Sequence, residues 1–159
     1  MKLSLVIATY NRGPAVERLL SRLPKQSLAK SDWEVIVVDD GSSDDTVQRL
    51  NAFQQAGLCN LRFLTQENAG PAAARHRGIQ SARGQRIVVT DDDMELAPDF
   101  LAAHWAAASD DPEMTVVLGE IRPTDGWLRK PLFDVVGEYR LAKRHRQFAK
   151  GDAKPGAID

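Results

Sequence analysis

A chain of 159 residues, 43% hydrophobic and 27% charged, has the composition of one ordinary globular domain with a sizeable core. Its 21 Lys and Arg against 22 Asp and Glu leave a formal net charge of -1, which gives no reason to expect a nucleic-acid partner. The single cysteine, Cys59, excludes an intramolecular disulfide and argues against a cysteine-ligated zinc site.

Leu3 to Ala8 reads as a central strand, and Thr9 to Gly13 as a polar turn. The apolar stretch is marginal for a signal-peptide core and is followed by no small-residue cleavage pattern. No apolar run approaches the roughly 18 residues of a membrane span, so a cytoplasmic location is expected. Pro14 suits the first position of a helix in which Val16, Leu19, Leu20 and Leu23 recur with helical spacing, until Pro24 ends or disturbs it. Trp33 to Val38 is nearly all apolar, as a parallel strand covered on both faces should be. Ser42 with Asp45 resembles a capping box for a helix from about Ser43 to Gln55, with Val47, Leu50 and Phe53 as its apolar positions. Asn60 to Thr65 is a weaker, more edge-like strand. The turn Asn68 to Pro71 leads into a small-residue helix, Ala72 to Ala82, interrupted by Gly78. Ile87 to Thr90 is a β-branched run with the signature of a buried strand, and Pro98 to Ala108 a helix packing through Leu101 and Trp105. Thr115 to Leu118 reads as a fifth strand.

Strand and helix thus alternate with short connections, which predicts an α/β domain with a mostly parallel sheet and helices on both faces. Ligands in such folds lie at the carboxyl ends of the strands. Four polar clusters fall there: Thr9 to Arg12, Asp39 to Ser43, Asn68 to Gly70, and Asp91 to Asp93. Four clusters able to converge predict the rim of an active or ligand site. No Gly-x-Gly-x-x-Gly follows the first strand and no P-loop pattern occurs, so dinucleotide binding and P-loop hydrolysis drop out. His76, His104 and His145 lack zinc-ligand spacing.

Along extended backbone, Asp91 and Asp93 can point one way and Asp92 the other. Converging carboxylates repel unless a cation lies between them, and an all-oxygen set suits Mg²⁺ or Mn²⁺. The alternative is a solvated acidic turn. Asp39, before a Gly-Ser-Ser turn, could accept from a nucleobase imide or a ribose hydroxyl; alternatively Asp39 or Asp40 caps the next helix. Arg75 could reach a diphosphate with its guanidinium fork, although an exposed arginine is the default at such a position.

Four segments carry a resemblance to a known family. They are Leu5-Val6-Ile7-Ala8-Thr9-Tyr10-Asn11-Arg12; Glu34-Val35-Ile36-Val37-Val38-Asp39-Asp40-Gly41-Ser42-Ser43-Asp44-Asp45-Thr46; Glu67-Asn68-Ala69-Gly70 with Ala74-Arg75; and Val89-Thr90-Asp91-Asp92-Asp93 running into Pro98-Asp99-Phe100-Leu101. In order and spacing, over residues 3 to about 101, the chain resembles the N-terminal part of the family 2 glycosyltransferases, inverting enzymes of the GT-A fold. The resemblance implies a Rossmann-like core over 1–120 that binds a nucleotide-diphospho-sugar (UDP-, GDP- or dTDP-linked), and transfer of its sugar to a carbohydrate or lipid-linked acceptor hydroxyl. It implies that Thr9 and Tyr10 line the nucleoside pocket, that Asp39 contacts base or ribose, and that Arg75 lies near the base or diphosphate. Asp92 is placed with these nucleotide-binding residues. Asp91 and Asp93 become the Asp-x-Asp pair that holds Mn²⁺ or Mg²⁺.

The catalytic base is where the chain departs from the family pattern. Glu120 and Asp125 are the early candidates, and neither sits in the expected acidic motif. Residues 121–150 therefore read as an incomplete acceptor-side segment, the fold being truncated after the acceptor side begins, and 151–159 as a disordered tail. A non-catalytic nucleotide-sugar-binding or partner-binding module is the alternative function. Met94 and His76 replace an acid and an Asn common in the family. From Arg129 to Lys150, seven Lys or Arg face Asp134 and Glu138 alone. This basic helix could dock on an anionic membrane face or a diphosphate, or be a plain solvated face. Homo-oligomerisation is left open.

Overall fold

The computed structural model describes residues 1–107 and Gly119. Among them are four strands, β1 (Leu3–Thr9), β2 (Trp33–Asp39), β3 (Leu61–Thr65) and β4 (Arg86–Asp91), all parallel in the order β3-β2-β1-β4. The helices are α1 (Gly13–Arg22), α2 (Thr46–Gln55), α3 (Pro71–Gln80) and α4 (Phe100–Ala107). The fifth strand at Thr115 to Leu118, Glu120, Asp125, the basic helix and the tail lie outside the described residues.

Alternation along the two central strands divides their side chains between two layers. Leu3, Leu5 and Ile7 of β1, with Val35 and Val37 of β2, pack on Val16, Leu19 and Leu20 of α1 and Leu50 of α2. Ile36 and Val38 face the other way, onto Ala74 of α3. Helices therefore cover both faces, as the all-apolar strands predict. Each fully buried Leu or Ile contributes about 1.5–3 kcal/mol, so the two layers supply much of the driving force.

Several local expectations are corrected. Helix α3 runs through Gly78 without interruption, and glycine is needed there because a Cβ would collide with Val6 of β1. The Ser42–Asp45 capping box does not form. Helix α2 starts at Thr46, whose N–H donates to Asp44 Oδ1 at 3.0 Å, while Ser42 Oγ accepts from the Asn11 N–H at 2.8 Å. A cross-loop partner outcompetes the local cap. Strand β4 is only half buried: Val88 packs on the core, whereas Ile87 and Val89, each 42% exposed, lie on the face where α3 covers β1 and β2. As expected of Pro24, by contrast, helix α1 stops at Arg22 and the proline sits in a following 3₁₀ turn, Leu23–Lys25.

A buried polar cluster at the amino ends of the strands sets where β4 begins. Glu34 is fully buried; its Oε1 accepts from the Ser4 hydroxyl at 2.8 Å and the Arg83 N–H at 2.9 Å, and its Oε2 from Arg62 at 2.9 Å. Ser4 Oγ also accepts the Gly84 N–H at 2.8 Å. Burial alone would raise the Glu34 pKa, but the hydrogen bonds from Ser4, Arg83 and Arg62 outweigh it and leave the pKa below the ordinary value. The α3–β4 connection is thereby tied to β1 and β2. Glycine at 84 permits the approach, since a Cβ would lie 2.5 Å from the backbone of Leu3 and Ser4.

The resulting register aligns the other ends of the strands. Thr9 pairs with Asp39, Asp39 with Thr65, and Ala8 with Asp91. After β1 the chain builds outward through β2 and β3, then crosses to β4 on the far side of β1. The switch in winding direction lies between the carboxyl ends of β1 and β4, where such folds open a crevice.

Candidate active site

A cavity of about 510 Å³ opens at that switch point. Its wall comes from the end of β1 (Ala8, Thr9, Tyr10, Arg12), from Asp40 after β2, from the loop into α3 (Asn68, Gly70, Pro71, Arg75), and from Asp91, Asp92 and Asp93. The four polar clusters of the sequence thus meet.

The loops are locked to one another before any ligand is considered. Asn11 adopts φ +51°, a left-handed conformation that asparagine tolerates better than most residues. Its side-chain oxygen accepts the N–H groups of Ser43 at 2.7 Å and Asp44 at 3.3 Å, joining the β1–α1 loop to the β2–α2 loop. Asp40 joins the β2–α2 loop to the loop before α3. Its Oδ1 accepts from Gln66 Nε2 at 2.7 Å and the Ala69 N–H at 3.0 Å, and its Oδ2 from the Gly70 N–H at 2.8 Å. Burial pushes the Asp40 pKa up, and these three hydrogen bonds bring it down further, below the usual carboxylate range. Gly41, at φ +80°, keeps the approach open, because a Cβ there would lie 3.0 Å from Asn68 N and Gln66 O.

Asp39 caps no helix. Its Oδ2 accepts the Ser42 N–H at 3.2 Å, and no donor among the described residues reaches its buried Oδ1. A buried carboxylate oxygen without a donor is costly. Asp39 sits at the end of β2 and is not among the residues lining the cavity.

Strand β4 ends at Asp91, so strict strand alternation does not govern the triplet. All three carboxylates line the cavity, but they differ in environment. Asp92 turns inward, its side chain 5% exposed; it accepts from the Thr9 hydroxyl at 2.8 Å and pairs with Arg12 Nη1 at 3.1 Å. Asp91 and Asp93 are 60% and 49% exposed, paired with Arg75 at 2.6 Å and Arg12 Nη2 at 2.9 Å respectively. Burial raises the Asp92 pKa; Thr9 and Arg12 oppose it, and the flanking Asp93 and Asp91 add to it. The hydrogen bond to Asp93 holds the Arg12 pKa above its ordinary value against partial burial, helped by all three carboxylates.

Of the residues expected at the site, Thr9, Tyr10, Arg75, Asp91, Asp92 and Asp93 line the cavity, and Asp39 does not. Sequence reasoning missed the contributions of Asn11, Arg12 and Asp40 within clusters it had flagged. The donor chemistry of the triplet fits a hard divalent cation, being all oxygen with exposed carboxylates on two of its members. No group of three or more His, Cys, Asp or Glu is already arranged around a metal position among the described residues. Arginines hold the carboxylates instead.

A parallel sheet with this winding switch, and an acidic triplet at the carboxyl end of the strand beyond it, is the GT-A form of the Rossmann-like fold. The chain overlays on the crystal structure of Staphylococcus aureus TarS in complex with UDP-GlcNAc with a TM-score of 0.62 and 31% identity, over 67% of this chain and 30% of that one. The mannosyltransferase PcManGT from Pyrobaculum calidifontis, in complex with GDP-Man and Mn²⁺, gives a TM-score of 0.63 and 29% identity over 70% of this chain and 33% of that one. Residues 4–159 match the model of glycosyl transferase family 2, and the chain belongs to that family. It is 30% identical over 128 residues to the poly(ribitol-phosphate) beta-glucosyltransferase of Bacillus spizizenii, covering 79% of this chain and 20% of that protein. It is 33% identical over 119 residues to validoxylamine A glucosyltransferase of Streptomyces hygroscopicus, covering 74% of this chain and 28% of that protein. The chain therefore spans less than a third of the length of these two relatives.

No helix among the described residues is long and apolar enough to cross a membrane.

Proposed function

We propose that this chain carries the donor-binding half of a glycosyltransferase, which moves a sugar from a nucleoside-diphosphate sugar to an acceptor hydroxyl. The observation that carries the reading is the cavity at the β1–β4 switch, where three carboxylates and two arginines meet, together with an Asp39 oxygen at the end of β2 that no donor among the described residues reaches. Family membership and the nucleotide-sugar complexes of the two overlaid structures support it.

In this reading the base and ribose lie toward Thr9, Tyr10 and Asp39. The half-exposed Tyr10 ring offers a stacking surface. The free oxygen of Asp39 accepts from an imide N–H or a ribose hydroxyl. Asp91 and Asp93 are the residues that would hold Mn²⁺ or Mg²⁺, and a bound cation supplies positive charge to the nucleoside-diphosphate leaving group. Arg75 donates to the same diphosphate, its fork matching the anionic oxygens. Asp92, buried and bonded to Thr9, keeps the end of β1 and the triplet in one geometry. The base that takes the acceptor proton comes from outside the described residues, with Glu120 and Asp125 as the first positions to test. The acceptor is a carbohydrate or a lipid-linked molecule that presents a hydroxyl.

The test is calorimetric titration of the chain with UDP, GDP and dTDP, with and without Mn²⁺, on wild type and on Asp91→Ala and Asp93→Ala. Binding that needs the cation and weakens at least tenfold in both variants is expected, since each removes one anionic ligand of a charged complex. A folded chain that binds no nucleotide refutes the proposal. Nucleotide binding with no sugar transfer, even with Glu120 and Asp125 intact, would instead identify a binding module.

A further inference from the structure

Arg12 is a charged cavity residue to which the proposed function gives no task. It stands at the start of α1, directly after the turn that Asn11 locks, and its guanidinium forks across two adjacent carboxylates. Nη1 lies 3.1 Å from Asp92 and Nη2 2.9 Å from Asp93. The two carboxylates differ in freedom. Asp92 is buried and held by Thr9, whereas Asp93 has Arg12 as its partner and faces solvent. Arg12 is itself half exposed, so it can turn without uncovering the core. A divalent cation seeking Asp93 therefore competes with a guanidinium already in place.

On the glycosyltransferase reading above, we propose that Arg12 is an exchangeable counter-ion coupling cation and donor binding. Before the cation binds, Arg12 neutralises Asp92 and Asp93. When Asp93 turns to the cation, Arg12 keeps Asp92, and the Nη2 donor so freed swings to a diphosphate oxygen of the donor. No covalent bond changes; one charge-assisted hydrogen bond replaces another. Charge favours the exchange. Asp40, Asp91, Asp92 and Asp93 against Arg12 and Arg75 leave two net negative charges in the cavity, and a dication together with a dianionic diphosphate restores that same value. Without Arg12 the loaded site would hold one further uncompensated negative charge. The cation alone must displace a guanidinium from Asp93, whereas the cation–donor pair offers that guanidinium a diphosphate oxygen, which couples the two binding events. A guanidinium suits the task because its two outer nitrogens can serve two anions at once.

The test titrates Mn²⁺ alone, then UDP and GDP at saturating Mn²⁺, into wild type, Arg12→Ala, Arg12→Lys and Asp93→Asn, with thermal unfolding to show that each is folded. Arg12→Ala should bind Mn²⁺ alone about threefold more tightly, because a half-exposed ion pair no longer competes. The same variant should bind the nucleotide about five- to tenfold more weakly, having lost a charge-assisted donor. Arg12→Lys should recover part of the nucleotide affinity. Unchanged or weaker Mn²⁺ binding in Arg12→Ala, or unchanged nucleotide binding, overturns the exchange. If nucleotide binding in wild type still vanishes in Asp93→Asn, the glycosyltransferase reading survives that failure. A folded wild type that binds neither UDP nor GDP sinks both.

Discussion

Replacing Asp40 by asparagine tests whether one buried carboxylate holds the cavity wall. The side chain accepts three hydrogen bonds, two at Oδ1 and one at Oδ2. In Asp40→Asn the amide oxygen can keep the Gln66 and Ala69 donors, but its NH₂ then faces the Gly70 N–H. One charge-assisted bond is lost and two donors are opposed, at a cost of about 2 kcal/mol. For a domain of this size that is a fall in Tm of about 4–8 °C. Thermal and urea unfolding at pH 7 measure it. The pH dependence supplies a second, independent reading. A carboxylate whose pKa is lower in the folded state contributes stability that is fully present above its unfolded pKa of about 4 and is lost as pH falls through the folded value. The stability gap between wild type and Asp40→Asn should therefore be constant from pH 8 to about 5 and narrow below about 4. Because the loop that Asp40 holds carries Asn68, Gly70 and Pro71 into the cavity, nucleotide affinity should fall as well. A Tm within about 1 °C of wild type, or a gap independent of pH, would refute the assignment of the loop to Asp40.

Glu34→Ala leaves Arg62 and the donors of Ser4 and Arg83 without their acceptor, and should cost about 3 kcal/mol by urea unfolding, with Glu34→Gln losing less. Gly78→Ala drives a methyl into Val6 and should destabilise by about 1–3 kcal/mol; the double variant with Val6→Ala should recover part of this in a mutant cycle. Cys59 is pushed up to about 11 by burial, with Lys30 opposing weakly, so its thiol should resist alkylation at pH 8 and react only as the pH nears that value. A rate at pH 8 matching free cysteine would contradict that.

The alternation of elements was legible in the residues because burial leaves a local record. Leu3 to Ala8 and Trp33 to Val38 are apolar at nearly every position because both faces of their strands are covered, and Pro14 marks the start of a helix. The clusters at the strand ends were legible for the same reason, since polar side chains gather where an apolar run stops. What those polar residues do was not legible. The tertiary fold decided that β4 lies beside β1, bringing Arg12 to Asp93 across 81 residues, and that Asp92 turns inward to Thr9 while its neighbours stay exposed. It also decided that Ser42 serves Asn11 instead of capping α2, and that Asp40 pins a loop. Even the glycine that reads as a break in α3 is required by Val6 on another element. A charged side chain carries the same local pattern whether it faces water or a distant partner, and long-range strand pairing determines which partner it meets.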